Sequence, residues 1–260
     1  MKDRLTSAGT LAVAAAFTIT AGFALVFFYA PLDADQGFIQ KIFYLHVPLA
    51  IWALIGFIAA GVYGIRYLRS NDPAHDARSY LLIHQSIIFA TTVLITGSIW
   101  AKAAWGKWWV WDEPTLVSFL IIFLLYATYY PLRYAIEDRE RQARYASVFA
   151  ITAGAFVPLN FMAVRLAESL VHPRTFATAE GGLPASMGLT FLVCFIGLGL
   201  MFFAMIKFEL GAKRAAADLS RLERELAPDY QAPYRRSAAP SELGSSVNMT
   251  ARDAEAGRRT

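Results

Sequence analysis

Six apolar stretches, at about residues 8–30, 42–65, 80–100, 114–132, 145–167 and 184–206, dominate the 260-residue chain. Each is long enough, at about 20 residues of helix, to cross a hydrocarbon layer of about 30 Å. In lipid only helices and closed barrels satisfy their own backbone, and no alternating barrel pattern is present. The expected fold is an all-α integral membrane protein with six transmembrane helices. Hydrophobic residues make up 57% of the chain and charged ones 17%, which excludes an ordinary soluble domain. The net charge of +4 does not indicate nucleic acid, because the basic residues cluster beside apolar runs and form no groove-sized patch. The single cysteine, Cys194, lies inside an apolar run and reads as a small buried hydrophobe.

The basic residues set an orientation. Lys2 and Arg4, then Arg66, Arg69 and Arg78, then Arg133, Arg139, Arg141 and Arg144, then Lys207, Lys213 and Arg214 fall on one side; the opposite loops carry only Lys41, Lys102, Lys107 and Arg174, with Arg165 near a helix end. Both termini are therefore expected in the cytoplasm. The first run is longer than a signal-peptide core and lacks a small-residue cleavage site, so it reads as a retained span. The expected organisation is a membrane domain over 1–206 with an outer-face loop at 101–114, a cytoplasmic helical extension over 207–227, and a disordered cytoplasmic tail over 228–260. Leu219, Leu222 and Leu226 recur at helical spacing in the extension, whereas the tail has no apolar face to bury.

That outer loop holds the densest chemistry in the chain. Five of the six tryptophans lie between Trp100 and Trp111, in a segment that ends Trp105-Gly106-Lys107-Trp108-Trp109-Val110-Trp111-Asp112-Glu113-Pro114. An interfacial aromatic belt is one reading. The other is a shelf for a flat, apolar, ring-shaped ligand. Asp112 is placed to cap the helix that Pro114 opens.

Four histidines are present, and the spans separate them. His46 lies about a turn inside the outer end of the second span, and His172 lies in the third outer loop, so both reach the level of the tryptophans. His84 is about 24 Å of helix away from Trp100 and reads as a hydrogen-bonded packing residue; His75 lies in a cytoplasmic loop. Two imidazoles suit the axial positions of an iron porphyrin, whose macrocycle fits tryptophan faces and whose propionates need cations. Lys102, Lys107, Arg165 and Arg174 lie on the right side to supply them, although snorkelling to headgroups explains such residues equally well.

The pattern Trp105-Gly106-x-x-Trp109-x-Trp111-Asp112 resembles the WGxxWxWD signature of the tryptophan-rich heme-handling proteins. The six spans, the length, and Tyr44-Leu45-His46-Val47-Pro48 opening the second span resemble the CcmC, or heme exporter protein C, family within that group, over about residues 8–206. The resemblance implies heme b held on the outer face of the bacterial inner membrane by Trp105, Gly106, Trp108, Trp109, Trp111 and Asp112, with His46 and His172 as axial ligands. It also implies work with the ABC transporter subunits CcmA and CcmB and with CcmD, and delivery of heme to the periplasmic chaperone CcmE for cytochrome c maturation. Such a protein is a heme-transfer protein, not an enzyme, though it can assist covalent loading of the chaperone. After Asp112 the family commonly has Ala or Pro, then Arg and Leu, where this chain has Glu113-Pro114-Thr115-Leu116. The alternatives are a related cytochrome c assembly protein, a multi-pass redox cytochrome, which needs histidines paired within the bilayer, or a permease that uses the tryptophans as a belt.

Overall fold

The computed structural model describes residues 2–172 and 183–237. The elements run α1 (Lys2–Phe28), a short 3-10 helix (Phe38–Ile42), α2 (Phe43–Ser70), α3 (Pro73–Trp105), α4 (Pro114–Ala127), α5 (Tyr129–Tyr134), α6 (Arg139–Leu166) and α7 (Ala185–Ser237). Six helical segments among them are long and apolar enough to cross a membrane: Ala8–Phe28, Phe38–Ser70, Pro73–Trp105, Pro114–Tyr134, Arg139–Leu166 and Ala185–Leu226. Each expected span thus falls in a helix. Hydropathy misplaces the start of α3, because its first turns are polar. Pro73 opens that helix and the Asp72 carboxylate accepts the Ala74 N–H at 2.8 Å, a cap that apolar periodicity does not register. The described residues 212–237 belong to a unit of their own. Helix α7 runs to Ser237; residues 238–260 of the tail for which disorder is expected lie outside the described residues.

Helix α2 is at the centre of the membrane unit. Ala53, Phe57 and Ala60 on it are fully enclosed, and the Phe57 ring stacks on Tyr126 of α4 at 3.7 Å. Lipid tails are as apolar as leucine, so helices in a bilayer associate by close packing more than by hydrophobic burial. Gly61 and Gly64 supply that approach to α6: a Cβ on Gly61 would stand 2.9 Å from the Ala150 carbonyl oxygen, and one on Gly64 would stand 2.8 Å from that of Ser147.

At the end of the bundle where α3 begins, Arg133 donates to both Asp76 carboxylate oxygens, at 2.7 and 2.6 Å, and to the Tyr129 hydroxyl at 3.0 Å. Arg133 is therefore more than a topology signal, since it joins α5 to α3 through a part-buried bidentate pair. Asp76→Ala, which leaves the guanidinium enclosed and unpaired, is expected to destabilise the protein by about 3–5 kcal/mol. Denaturant unfolding in detergent measures this, and an alanine variant as stable as the parent would show the pair to be idle. Nearby, His84 bonds through Nδ1 to the Tyr130 hydroxyl and stacks on Tyr80 at 5.9 Å, the packing role expected of it.

Candidate functional site

A cavity of about 450 Å3 opens among α2, α3, α4 and α6. That size is within the range of about 300–1,000 Å3 typical of small-molecule sites. The cavity extends from Trp100, Trp105 and Trp109 inward along the helices to Leu54, Ile122 and Val157. Its wall is mostly aliphatic and aromatic, with a few polar groups: His46, His172, Thr115, Ser118, Asn160 and Arg165.

His46 is the fourth residue of α2, and its ring is fixed from α3. Nδ1 lies 2.9 Å from Thr96 Oγ1. The single Thr96 hydroxyl proton has acceptors within its own helix, the Thr92 carbonyl at 2.8 Å and that of Val93 at 3.2 Å. Donated there, it leaves Thr96 to accept from the imidazole in the tautomer that carries its proton on Nδ1. That tautomer leaves the Nε2 lone pair available for a metal. Gly97 provides the room, since a Cβ there would stand 2.8 Å from His46 Cε1. Trp100 meets the ring edge-on at 5.7 Å, and its Nε1–H donates to Gln36 Oε1 at 2.7 Å. The 31–41 loop is held in turn by Lys41, whose buried ammonium donates to the Val26 and Ala30 carbonyls at the end of α1. Thr96→Val, which removes the contact to His46 Nδ1, is expected to weaken ligand binding in the cavity by about 10-fold. A ligand titration of the purified variant checks this, and an unchanged affinity would remove Thr96 from the site.

The tryptophan loop divides into two sets. Helix α3 ends at Trp105 because Gly106 takes a left-handed φ of 74°, its N–H donating to the Lys102 carbonyl at 3.1 Å. The Lys102 ammonium turns back onto the Gly106 carbonyl at 2.9 Å. Trp105 and Trp109 line the cavity. Trp108 and Trp111 are 60% and 70% exposed and lie outside its lining, although Trp111 braces Trp109 edge-on at 6.0 Å. Lys107 and Asp112 are exposed as well. The expected cap at Asp112 is corrected: the N-cap of α4 is Glu113, whose carboxylate accepts the Thr115 N–H. Proline at the first helical position drives the residue immediately before it into an extended conformation, and Glu113 adopts one, with φ −86° and ψ 110°. Of the four candidate cations, Arg165 in the last turn of α6 lines the cavity; Arg174 lies outside the described residues.

His172 reaches the same cavity from the segment that follows α6, its ring 6.4 Å from that of Trp105. Its backbone is held by Glu113, which accepts the amides of Leu170, Val171 and His172. Burial pushes the Glu113 carboxyl up, but the amides of Val171, His172, Leu170 and Thr115 outweigh it and hold the group below the ordinary glutamate value. The structure thus brings together His46, His172, Trp105, Trp109 and Arg165. It adds Thr96, Gly97, Trp100 and Glu113, which the sequence reading did not assign to the site. Val93, Gly97 and Trp100 recur on α3 at helical spacing, a signal that was open to reading.

A family model described as heme exporter protein C matches residues 3–224. The chain belongs to the heme exporter protein C family. Heme exporter protein C of Paracoccus denitrificans is 31% identical over 221 residues, covering 82% of this chain and 90% of that one. The Haemophilus influenzae protein of the same name is 31% identical over 201 residues, 72% of this chain and 78% of its own. A putative cytochrome c biosynthesis ccmC-like mitochondrial protein of Marchantia polymorpha is 29% identical over 166 residues, 64% of this chain and 70% of its own. Heme exporter protein C is a multi-pass membrane family of heme export for cytochrome c biogenesis, and the cavity described here belongs to a chain of that family.

Proposed function

We propose that this chain binds heme b in the α2/α3/α4/α6 cavity, with His46 and His172 on the iron and Trp105 and Trp109 against the macrocycle, and delivers it to the periplasmic chaperone CcmE. In this reading both termini are cytoplasmic, the cavity opens at the periplasmic face of the bacterial inner membrane, and CcmA, CcmB and CcmD are the partners. The observation that carries it is the lining itself: two imidazoles, 126 positions apart in a chain with four, meet two motif tryptophans in one apolar cavity. Among the described residues no group of three or more His, Cys, Asp or Glu side chains could hold a bare metal ion. Two imidazoles suffice, however, when the four equatorial nitrogens arrive with the metal. In this reading Arg165, in the cavity wall, meets a propionate, and Lys102 and Lys107 are the further candidates. Binding through two neutral imidazoles, without a covalent bond, leaves the cargo free to be captured by an acceptor.

The division of the tryptophans supplies the test. Hemin is titrated into the detergent-purified full chain and into Trp109→Ala and Trp108→Ala variants. Loss of about 100 Å2 of ring contact at about 25 cal/mol per Å2 costs about 2.5 kcal/mol, so Trp109→Ala is expected to weaken binding about 70-fold. Trp108→Ala is expected to change it by less than about threefold, as for an exposed side chain. Equal effects of the two substitutions would contradict the placement of the ligand in the cavity.

A further inference from the structure

Glu113 is fully enclosed, with 0% of its surface exposed, and a carboxylate removed from water is costly unless its oxygens are satisfied. Among the described residues its partners are N–H and O–H donors. Oε2 accepts three consecutive backbone amides, from Leu170 at 3.0 Å, Val171 at 2.9 Å and His172 at 3.2 Å. Oε1 faces the Thr115 N–H and the Ser169 hydroxyl, both at 3.4 Å. The Ser169 hydroxyl has one proton and a better acceptor in the His172 carbonyl at 2.7 Å, so Ser169 closes the 169–172 turn on itself and contributes little to Glu113. Helix capping does not explain the arrangement, because the capping bond to Thr115 is the longest of the backbone set. The short bonds go to the turn that carries His172. Three successive amides converging on one oxygen make an anion nest, and here the protein supplies its own anion.

That anion stands directly after the tryptophan loop and directly before Pro114 at the start of α4. One side chain therefore ties the exit of the tryptophan loop to the segment bearing His172, which follows the end of α6 at Leu166. We propose that Glu113 is the positioning residue for His172: by gathering the 170–172 amides at the head of α4, its carboxylate fixes where the imidazole enters the cavity. The proposal rests on the reading of His172 as an iron ligand. A glutamine at this position keeps the shape but replaces one accepting oxygen with an NH2 that faces amide donors. An aspartate keeps the charge but withdraws it by one methylene.

The test compares the full chain in detergent with Glu113→Gln, Glu113→Asp, His172→Ala and the double variant of Glu113→Gln with His172→Ala. Two readouts are taken: amide hydrogen exchange over 167–172 without hemin, and the absorption and electron paramagnetic resonance spectra with hemin. The 170–172 amides are expected to exchange at least about tenfold faster in Glu113→Gln, because their charged acceptor is lost. With hemin, Glu113→Gln should reproduce the spectrum of His172→Ala and bind about tenfold more weakly than the parent, and the double variant should be no worse than His172→Ala alone. Glu113→Asp should fall between the parent and Glu113→Gln, and it carries the comparison if the glutamine variant does not accumulate. If His172→Ala changes the spectrum and Glu113→Gln does not, the positioning role is overturned while the ligand assignment stands. If His172→Ala leaves the spectrum unchanged, the ligand assignment fails and takes the positioning role with it, and the exchange rates show separately whether Glu113 holds the turn.

Discussion

Substituting leucine for Gly97 is expected to abolish heme loading while leaving the helices intact. The reason is local and steric: a single Cβ at this position of α3 would already stand 2.8 Å from His46 Cε1, and a leucine extends from there into the cavity. The imidazole must swing away and the macrocycle loses its space, for a combined cost of about 3 kcal/mol or a fall in affinity of more than about 100-fold. Gly97→Ala should give an intermediate loss together with an altered spectrum, because the methyl group displaces the ring without filling the cavity. Hemin titration with circular dichroism of the same samples separates site from fold. Wild-type loading of the leucine variant would place the ligand elsewhere.

The second large effect belongs to His46→Ala. It removes the imidazole that Thr96 contacts through Nδ1, and with it one of two proposed axial bonds. Affinity should fall by at least the factor of about 10–100 that follows loss of a ligand's outer partner, and the low-spin signature of two imidazoles should give way to that of one. Binding should not vanish, since Trp105, Trp109 and the aliphatic wall remain as apolar contact. Exogenous imidazole, small enough to enter the space left by the side chain, is expected to restore the low-spin spectrum. A variant whose spectrum matches the parent would show that His46 does not touch the iron.

Much of this was open to reading in the sequence, for definite reasons. Six spans were visible because the bilayer imposes a length and a polarity on each, and those constraints act one segment at a time. His46 and His172 could be grouped with the tryptophans because alternating spans place them at one end, and both do line the cavity with Trp105 and Trp109. What depended on contacts between helices was hidden. Thr96 and Gly97 inside an apolar run look like ordinary small residues of helix packing until α2 is laid against α3. The separation of Trp105 and Trp109 from Trp108 and Trp111 arises in a loop that starts at the left-handed Gly106, where no helical or strand period applies. The cap is a different case. Asp112 and Glu113 can both accept an amide, and the steric rule for the residue before proline was enough to choose Glu113.

The most direct test of the site is the electron paramagnetic resonance spectrum of the detergent-purified full chain loaded with ferric heme, beside His46→Ala and His172→Ala. Two imidazoles on one iron predict a low-spin signal in the parent that is lost or changed in each single variant. A parent that takes up no heme, or a low-spin signal that survives both substitutions, would contradict the assignment of His46 and His172 as the pair that holds the iron.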